Sequence, residues 1–205
     1  MISLEIGKAV HIREWREDDF DLLHALDCAC FPPPIVYSRR TLRKFLRLPG
    51  AHCLVGETGG RIAGFILTHA ESPSTVRRAR IRVDAERRGP LRGHIISLDV
   101  DPRFRRGGVG SALLHAAEES LVSNGVDIID LETAVDNQPG VAFWRRHGYE
   151  IASTIADYYD AGVDAFAMFK AMPRELHGQS GASSLAERRS AKRGRLGPAM
   201  TGSYK

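Results

Sequence analysis

No apolar run in the 205-residue chain approaches the roughly 18–20 residues a membrane-crossing helix needs, so no helical span and no membrane partner are expected. The opening stretch MISLEIGKAVHIREW has neither a basic n-region nor an apolar h-region. Secretion is therefore not expected, and the cytoplasm is the expected compartment. Cysteine is scarce. Cys28, Cys30 and Cys53 make an odd count without zinc-like pairing, so no metal is expected, and Cys28 and Cys30 read as buried helix packing. A strong excess of one charge is also lacking once the chain is divided. Residues 173–205 hold seven basic and two acidic side chains, a balance of +5, so the net +4 of the whole leaves −1 for the rest. With 43% hydrophobic and 26% charged residues, the whole chain has the composition of a globular protein.

These absences divide the chain at 172. Residues 1–172 read as one domain. Residues 173–205 are rich in Gly, Ser, Ala and Arg, and they read as a basic, mostly disordered tail that cannot bury enough surface to offset its chain entropy. Within the domain, Lys8–Glu14 reads as a strand and Asp18–Cys28 as a helix with Phe20, Leu23 and Leu26 on one stripe. FPPPIVY breaks that helix, and Ser38 can cap the next one, SRRTLRKFLRL, which Pro49-Gly50 ends. HCLVGE and RIAGFILTHA flank a Thr58-Gly59-Gly60 turn, a hairpin signal. Seven arginines crowd 71–93, around a short strand IRV. Then come strand 94–100, helix 108–125, strand 126–132, helix 138–148, strand 149–155, a turn DYYDAG and strand 163–169. The order β-α-α-β-β-β-α-β-α-β-β predicts an α/β fold in which a mixed sheet is flanked by helices. Its 94–132 unit is a β-α-β crossover with parallel strands.

Asp101–Leu114, DPRFRRGGVGSALL, sets two arginines before Gly-Gly-x-Gly at the start of a helix. Helix N-termini leave amide donors unpaired and carry positive dipole, and glycines let an anion reach those donors. A pyrophosphate is the natural guest. The P-loop needs GxxxxGK[ST], which is missing, and the dinucleotide signature GxGxxG fails because Leu113 stands where its last glycine would be. What fits is Arg-x-x-Gly-x-Gly on Arg105, Gly108 and Gly110. With this loop the sequence resembles the GNAT superfamily of acyl-CoA N-acyltransferases. GHIISLDVDPRFRRGGVGSALL, DLETAVDNQPGVAFWRRHGY and DYYDAGVDAFAMF are similar to the branch that acetylates protein N-termini. That branch includes ribosomal-protein alanine acetyltransferases and archaeal N-terminal acetyltransferases.

The resemblance implies a GNAT-like domain whose central β-α-β unit binds acetyl-CoA as co-substrate. It implies that Leu98, Asp99 and Val100 run beside the pantetheine arm and that Asn137 hydrogen-bonds it. Arg105, Arg106, Gly107, Gly108, Val109, Gly110 and Ser111 would surround the pyrophosphate. Glu132 matches the general base and His94 an assisting histidine, while Tyr37, Tyr158 and Tyr159 would line the acceptor groove. Where bacterial relatives carry a tyrosine that protonates the leaving thiolate, this chain has Trp144, whose indole is not a practical acid. Either the thiolate leaves unaided or through water, or Tyr158 or Tyr159 supplies that proton. The expected reaction is acetyl transfer to the α-amine of a protein or peptide. Two alternatives stay open, a small-molecule amine as acceptor and a CoA-binding module without catalysis. Nucleic-acid binding through the arginines is disfavoured, because interleaved aromatics and a reading motif are missing.

Overall fold

The computed structural model describes residues 9–33, 35–70 and 90–173. The elements are β1 (His11–Glu14), α1 (Phe20–Cys30), α2 (Arg39–Leu46), β2 (Ala51–Thr58), β3 (Arg61–Ala70), β4 (Arg92–Val100), α3 (Val109–Ser123), β5 (Ile128–Ala134), α4 (Gln138–Arg146), β6 (Glu150–Tyr159) and β7 (Val163–Ala171). Their order is the one the sequence predicts. The strand IRV, most of the arginine-rich run and the tail beyond residue 173 lie outside the described residues.

All seven strands form one sheet in the order β1-β2-β3-β4-β5-β7-β6. Every neighbouring pair is antiparallel except β4 and β5, which run parallel as the crossover requires. Side chains alternate between two faces. On one face Cys53, Val55, Phe65 and Leu67 pack beneath α1 and α2, which contribute Phe20, Leu23, Leu26, Leu42, Phe45 and Leu46. On the other face Ile66, Ile129, Leu131 and Met168 meet Leu113, Leu114, Ala117 and Leu121 of α3. Full burial of one such leucine contributes about 1.5–3 kcal/mol. Among the described residues no helix is long and apolar enough to cross a membrane.

The helix ends follow from local chemistry. The Ser38 hydroxyl accepts from the Thr41 amide at 3.1 Å and starts α2. Gly125, at φ +84°, closes α3, with its amide on Val122 O at 2.8 Å and the Val126 amide on Leu121 O at 3.1 Å. That closure uses Gly125 and Val126, and β5 begins at Ile128 rather than Val126. β6 runs on to Tyr159 instead of stopping at 155, because a bulge between Ile155 and Tyr159 lets pairing resume at Tyr159↔Val163.

Candidate active site

Two departures from regular pairing open the sheet at β4. On its β3 side the register slips from Thr68↔Ile95 to Leu67↔Ser97, so Ile96 has no partner across the pair. This bulge puts Ile95 and Leu98, three residues apart, on the same α3 face, while Ile96 packs toward α1 and α2. On its other side β4 pairs with β5 only through Arg92↔Ile128, Gly93↔Ile129 and His94↔Asp130. Beyond His94 the strands splay. β5 continues beside β7, and the stretch Ile96–Val100 is left facing the opening.

Four predicted residues meet at this splay. Glu132 on β5 accepts the Tyr158 hydroxyl on Oε2 at 3.1 Å, and His94 Nε2 lies 3.5 Å from the same oxygen. Tyr159 stacks edge-on against Tyr158 with ring centroids 4.9 Å apart. Tyr158 sits in the β6 bulge, and that bulge aims it at a strand two places away in the sheet. Of the two tyrosines it is Tyr158 whose hydroxyl donates to Glu132. Tyr37, expected to line the acceptor groove, lies against β4 beside the splay. Its hydroxyl donates to Ile96 O at 3.3 Å, the carbonyl freed by the bulge, and its amide donates to Asp27 Oδ2 at 2.8 Å. Burial, aided by nearby acidic groups, pushes the Tyr37 and Tyr158 phenols well above their ordinary range, and Tyr159 up to about 12. All three are therefore neutral donors. Burial pulls the His94 imidazole down, but the Asp130 hydrogen bond and the charges of Glu132 and Asp130 outweigh it and leave it raised.

The glycine-arginine loop lies at the far end of β4, ahead of α3. Arg105, Arg106, Gly107 and Gly108 are exposed, and Val109 is buried beneath them as the loop's anchor. Gly108 takes φ +84°, and a Cβ there would meet nothing within 4 Å, so the space above it is open. Arg106 also sits in the left-handed region, at φ +61°. Arg105 Nε donates to Val100 O at 3.0 Å, which ties the loop to the end of β4. A Cβ on Gly110 would press to 3.3 Å from the Phe143 ring, so that glycine lets α3 approach α4. Asn137 caps α4 through Oδ1, which accepts from the Gly140 amide at 3.1 Å. The Ser111 hydroxyl is 2.9 Å from His147 Nε2. Leu98 and Val100 pack on the α3 side, whereas the Asp99 side chain turns to the other face and is fully buried.

Asp130 and Asp27 were not foreseen. Asp130 holds His94 Nδ1 at 2.7 Å; its position two residues before Glu132 on one strand is a signal the sequence does carry. Asp27 and Asp99 are buried carboxyls, each with one oxygen that has no partner among the described residues. Burial pushes Asp27 up to about 6 and Asp99 well above the carboxylate range. Nothing in the sequence marks Asp27, and Asp99 was expected only for its place on the strand beside the pantetheine. Trp144 is 8% exposed and packs edge-on against Tyr149 at 5.4 Å, within the α3-side core. Cys28 corrects an expectation. It is exposed while Cys30 is half-buried, because positions two apart on a helix face different sides.

Residues 11–149 match the acetyltransferase (GNAT) family. The chain is 27% identical over 167 residues to an N-alpha-acetyltransferase of Sulfurisphaera tokodaii, covering 79% of this chain and 93% of that protein. Its fold is similar to that of Ard1 from Thermoplasma volcanium, with TM-score 0.65 and 22% identity over 80% of this chain and 99% of that one. It is also similar in fold to the ribosomal-protein-S18-alanine N-acetyltransferase of Escherichia coli, with TM-score 0.63 and 18% identity over 86% and 100%.

Proposed function

Because this chain belongs to the acetyltransferase (GNAT) family and is thus an acetyl-CoA-dependent acetyltransferase, we propose that its acceptor is the α-amine of a protein or peptide N-terminus. The observation that carries this reading is the meeting of Glu132, His94 and Tyr158 at the β4–β5 splay, beside Tyr37 and the β6–β7 hairpin. The name of the Sulfurisphaera tokodaii relative supports the choice of acceptor.

In this reading the pyrophosphate of acetyl-CoA rests on the amides at the start of α3, with Arg105 and Arg106 adding charge. Residues Leu98–Val100 run beside the pantetheine, and Asn137 reaches it with the half of its amide not used in the cap. The thioester carbonyl lies at the splay, where unpaired β4 backbone donates to the developing oxyanion. The amine nitrogen attacks the carbonyl carbon and passes its proton to Glu132. The C–S bond then breaks, the thiolate takes a proton from Tyr158, and Glu132 returns one to the phenol. Protons balance over the cycle. An α-amine with pKa about 7.7–8.0 costs only about 1 kcal/mol to deprotonate at pH 7, against about 4–5 for lysine. A single half-buried carboxylate suits the first task. Residues 1–172 form the acetyltransferase domain and 173–205 a separate basic segment, in a cytoplasmic enzyme.

The test is to incubate the full chain with acetyl-CoA and a pool of short peptides of varied first residue, and to read acetylation by mass. Acetyl groups on α-amines, lost in Glu132→Gln, are the expected result. Acetylation of polyamines or free amino acids alone would overturn the acceptor, and tight CoA binding without turnover on any amine would overturn the enzyme.

A further inference from the structure

We infer that Asp130 is a positioning residue for this reaction, fixing the His94 ring so that its exchangeable proton faces Glu132. The inference rests on the reading of Glu132 and His94 given above. Asp130 and Glu132 alternate onto one face of β5, with Leu131 between them buried in the opposite core. His94 is the register partner of Asp130 at the last β4–β5 pair before the splay. Its ring therefore lies between two carboxylates, with Nδ1 2.7 Å from Asp130 Oδ1 and Nε2 3.5 Å from Glu132 Oε2. The other oxygen of Asp130 accepts from Arg92 at 3.0 Å, so the carboxylate is held at both ends.

The chemistry of the contact selects a tautomer. An ionised carboxylate only accepts hydrogen bonds, so Nδ1 must carry a proton. Burial alone would raise Asp130, but the bond and charge of His94, with Arg92 behind them, hold it below the ordinary carboxylate value. The proton that His94 gains or loses is then the one on Nε2, against the oxygen that also receives the Tyr158 hydroxyl. The charged and titratable groups around the ring are Asp130 and Glu132 from β5, Arg92 from β4 and, through Glu132, Tyr158 from β6. His69 on β3 is paired beside His94 in register, but its ring meets Pro49 O at 3.1 Å. A bond that merely stapled β4 to β5 would need an acceptor at residue 130 and no charge. Positioning a proton carrier needs the charge as well.

Asp130→Asn separates these roles, because it keeps an acceptor oxygen and the shape while removing the charge. In the full chain, the His94 signal is followed by NMR against pH, assigned by its loss in His94→Gln. In parallel, kcat and KM are measured for acetyl-CoA and for a peptide acceptor with a free α-amine. The titration of His94 is expected at lower pH in Asp130→Asn, with the ionisation in the kcat profile moving acidward alongside it. kcat is expected to fall about ten- to a hundredfold, a fraction of what a positioned proton carrier contributes, while KM for acetyl-CoA holds. In the His94→Gln background the same change should cost nothing further. An equal loss in both backgrounds, or a lower kcat with an unmoved pH profile and an unmoved His94 titration, overturns the inference and leaves a staple. A His94→Gln enzyme at full speed overturns the role of His94 in the reaction, and this inference with it. The NMR arm reads the Asp130–His94 coupling and confirms folding whether or not the acceptor has been identified.

Discussion

Two glycines in this chain share one backbone conformation and differ in what stands near them, which makes Gly108→Ala unusually informative. Gly108 and Gly125 both take φ +84°. A Cβ on Gly125 would lie 3.6 Å from Leu91 Cδ1, an ordinary contact, and one on Gly108 would meet nothing within 4 Å. Neither alanine is crowded by the protein, so each costs only its left-handed backbone, about 1–2 kcal/mol. At this chain length that lowers the melting temperature by roughly 2–8 °C. If Gly108 exists to let a phosphate reach the α3 amides, its alanine carries a second cost that Gly125→Ala lacks. The added methyl fills the open space above the turn and breaks one charge-assisted hydrogen bond. Such a bond is worth about 1.5–3 kcal/mol, which is about 10- to 150-fold in Kd. Melting without ligand should therefore find the two variants alike, and calorimetric titration with acetyl-CoA should separate them by that factor. Equal affinities in the two variants would refute the reasoning and leave Gly108 a turn residue only.

Glu132→Gln should lower kcat/KM on an α-amine peptide about a hundredfold at pH 7. Raising the pH to 9 should recover no more than about tenfold of that loss, since free-amine deprotonation accounts for only about 1 kcal/mol; undiminished activity at pH 7 would remove Glu132 as base. Lys170→Met strips the ammonium that lies 2.9 Å from both oxygens of the buried Glu118 carboxylate, leaving Tyr149 as donor at 3.0 Å. The cost should be about 2–3 kcal/mol by urea denaturation, below the usual figure for a buried pair because Tyr149 remains and Lys170 is 25% exposed. Asp27, raised by burial to about 6, keeps its proton to higher pH when folded than when unfolded. Stability is therefore lost as pH rises from about 4 through 6. Asp27→Asn should remove that loss, gaining up to about 3 kcal/mol at pH 8 and little at pH 4, read from urea midpoints at the two pH values.

The parts legible in the sequence are those fixed by neighbours along the chain. The Ser38 cap, the Gly59-Gly60 turn, the Gly125 closure of α3 and the Arg105–Gly110 loop each depend on a few consecutive residues. Element order followed from them. The Tyr158–Glu132 contact joins residues 26 apart and exists only because β6 bulges after Ile155. Ile95 and Leu98 share a face only because β4 bulges at Ile96; strict alternation would separate them. Trp144 carries no mark distinguishing a core indole from a site residue, and packing against Tyr149 decides it. Asp130 was within reach, since period-two alternation places it on the Glu132 face.

Burial also narrows the choice among the carboxyls around β4. Asp99 is fully buried with one oxygen unpartnered among the described residues, and Ser97 donating at 2.5 Å does not offset its desolvation, so burial favours its neutral form and seals it from an incoming amine. Asp27 is likewise sealed from solvent, and one of its oxygens already holds the Tyr37 amide. Asp130 and Glu132, at the splay, keep 27% and 22% side-chain exposure, so both remain in contact with solvent. Asp130 is occupied at both oxygens, by His94 and Arg92. Among the described residues, Glu132 is addressed by His94 and Tyr158, both on Oε2. A carboxylate that is reachable and half-engaged is what proton removal from an amine requires, and among these four Glu132 alone meets both conditions. The end of β4–β5 pairing thus supports the assignment independently of any likeness to relatives, because that break in the sheet is what keeps this carboxylate hydrated.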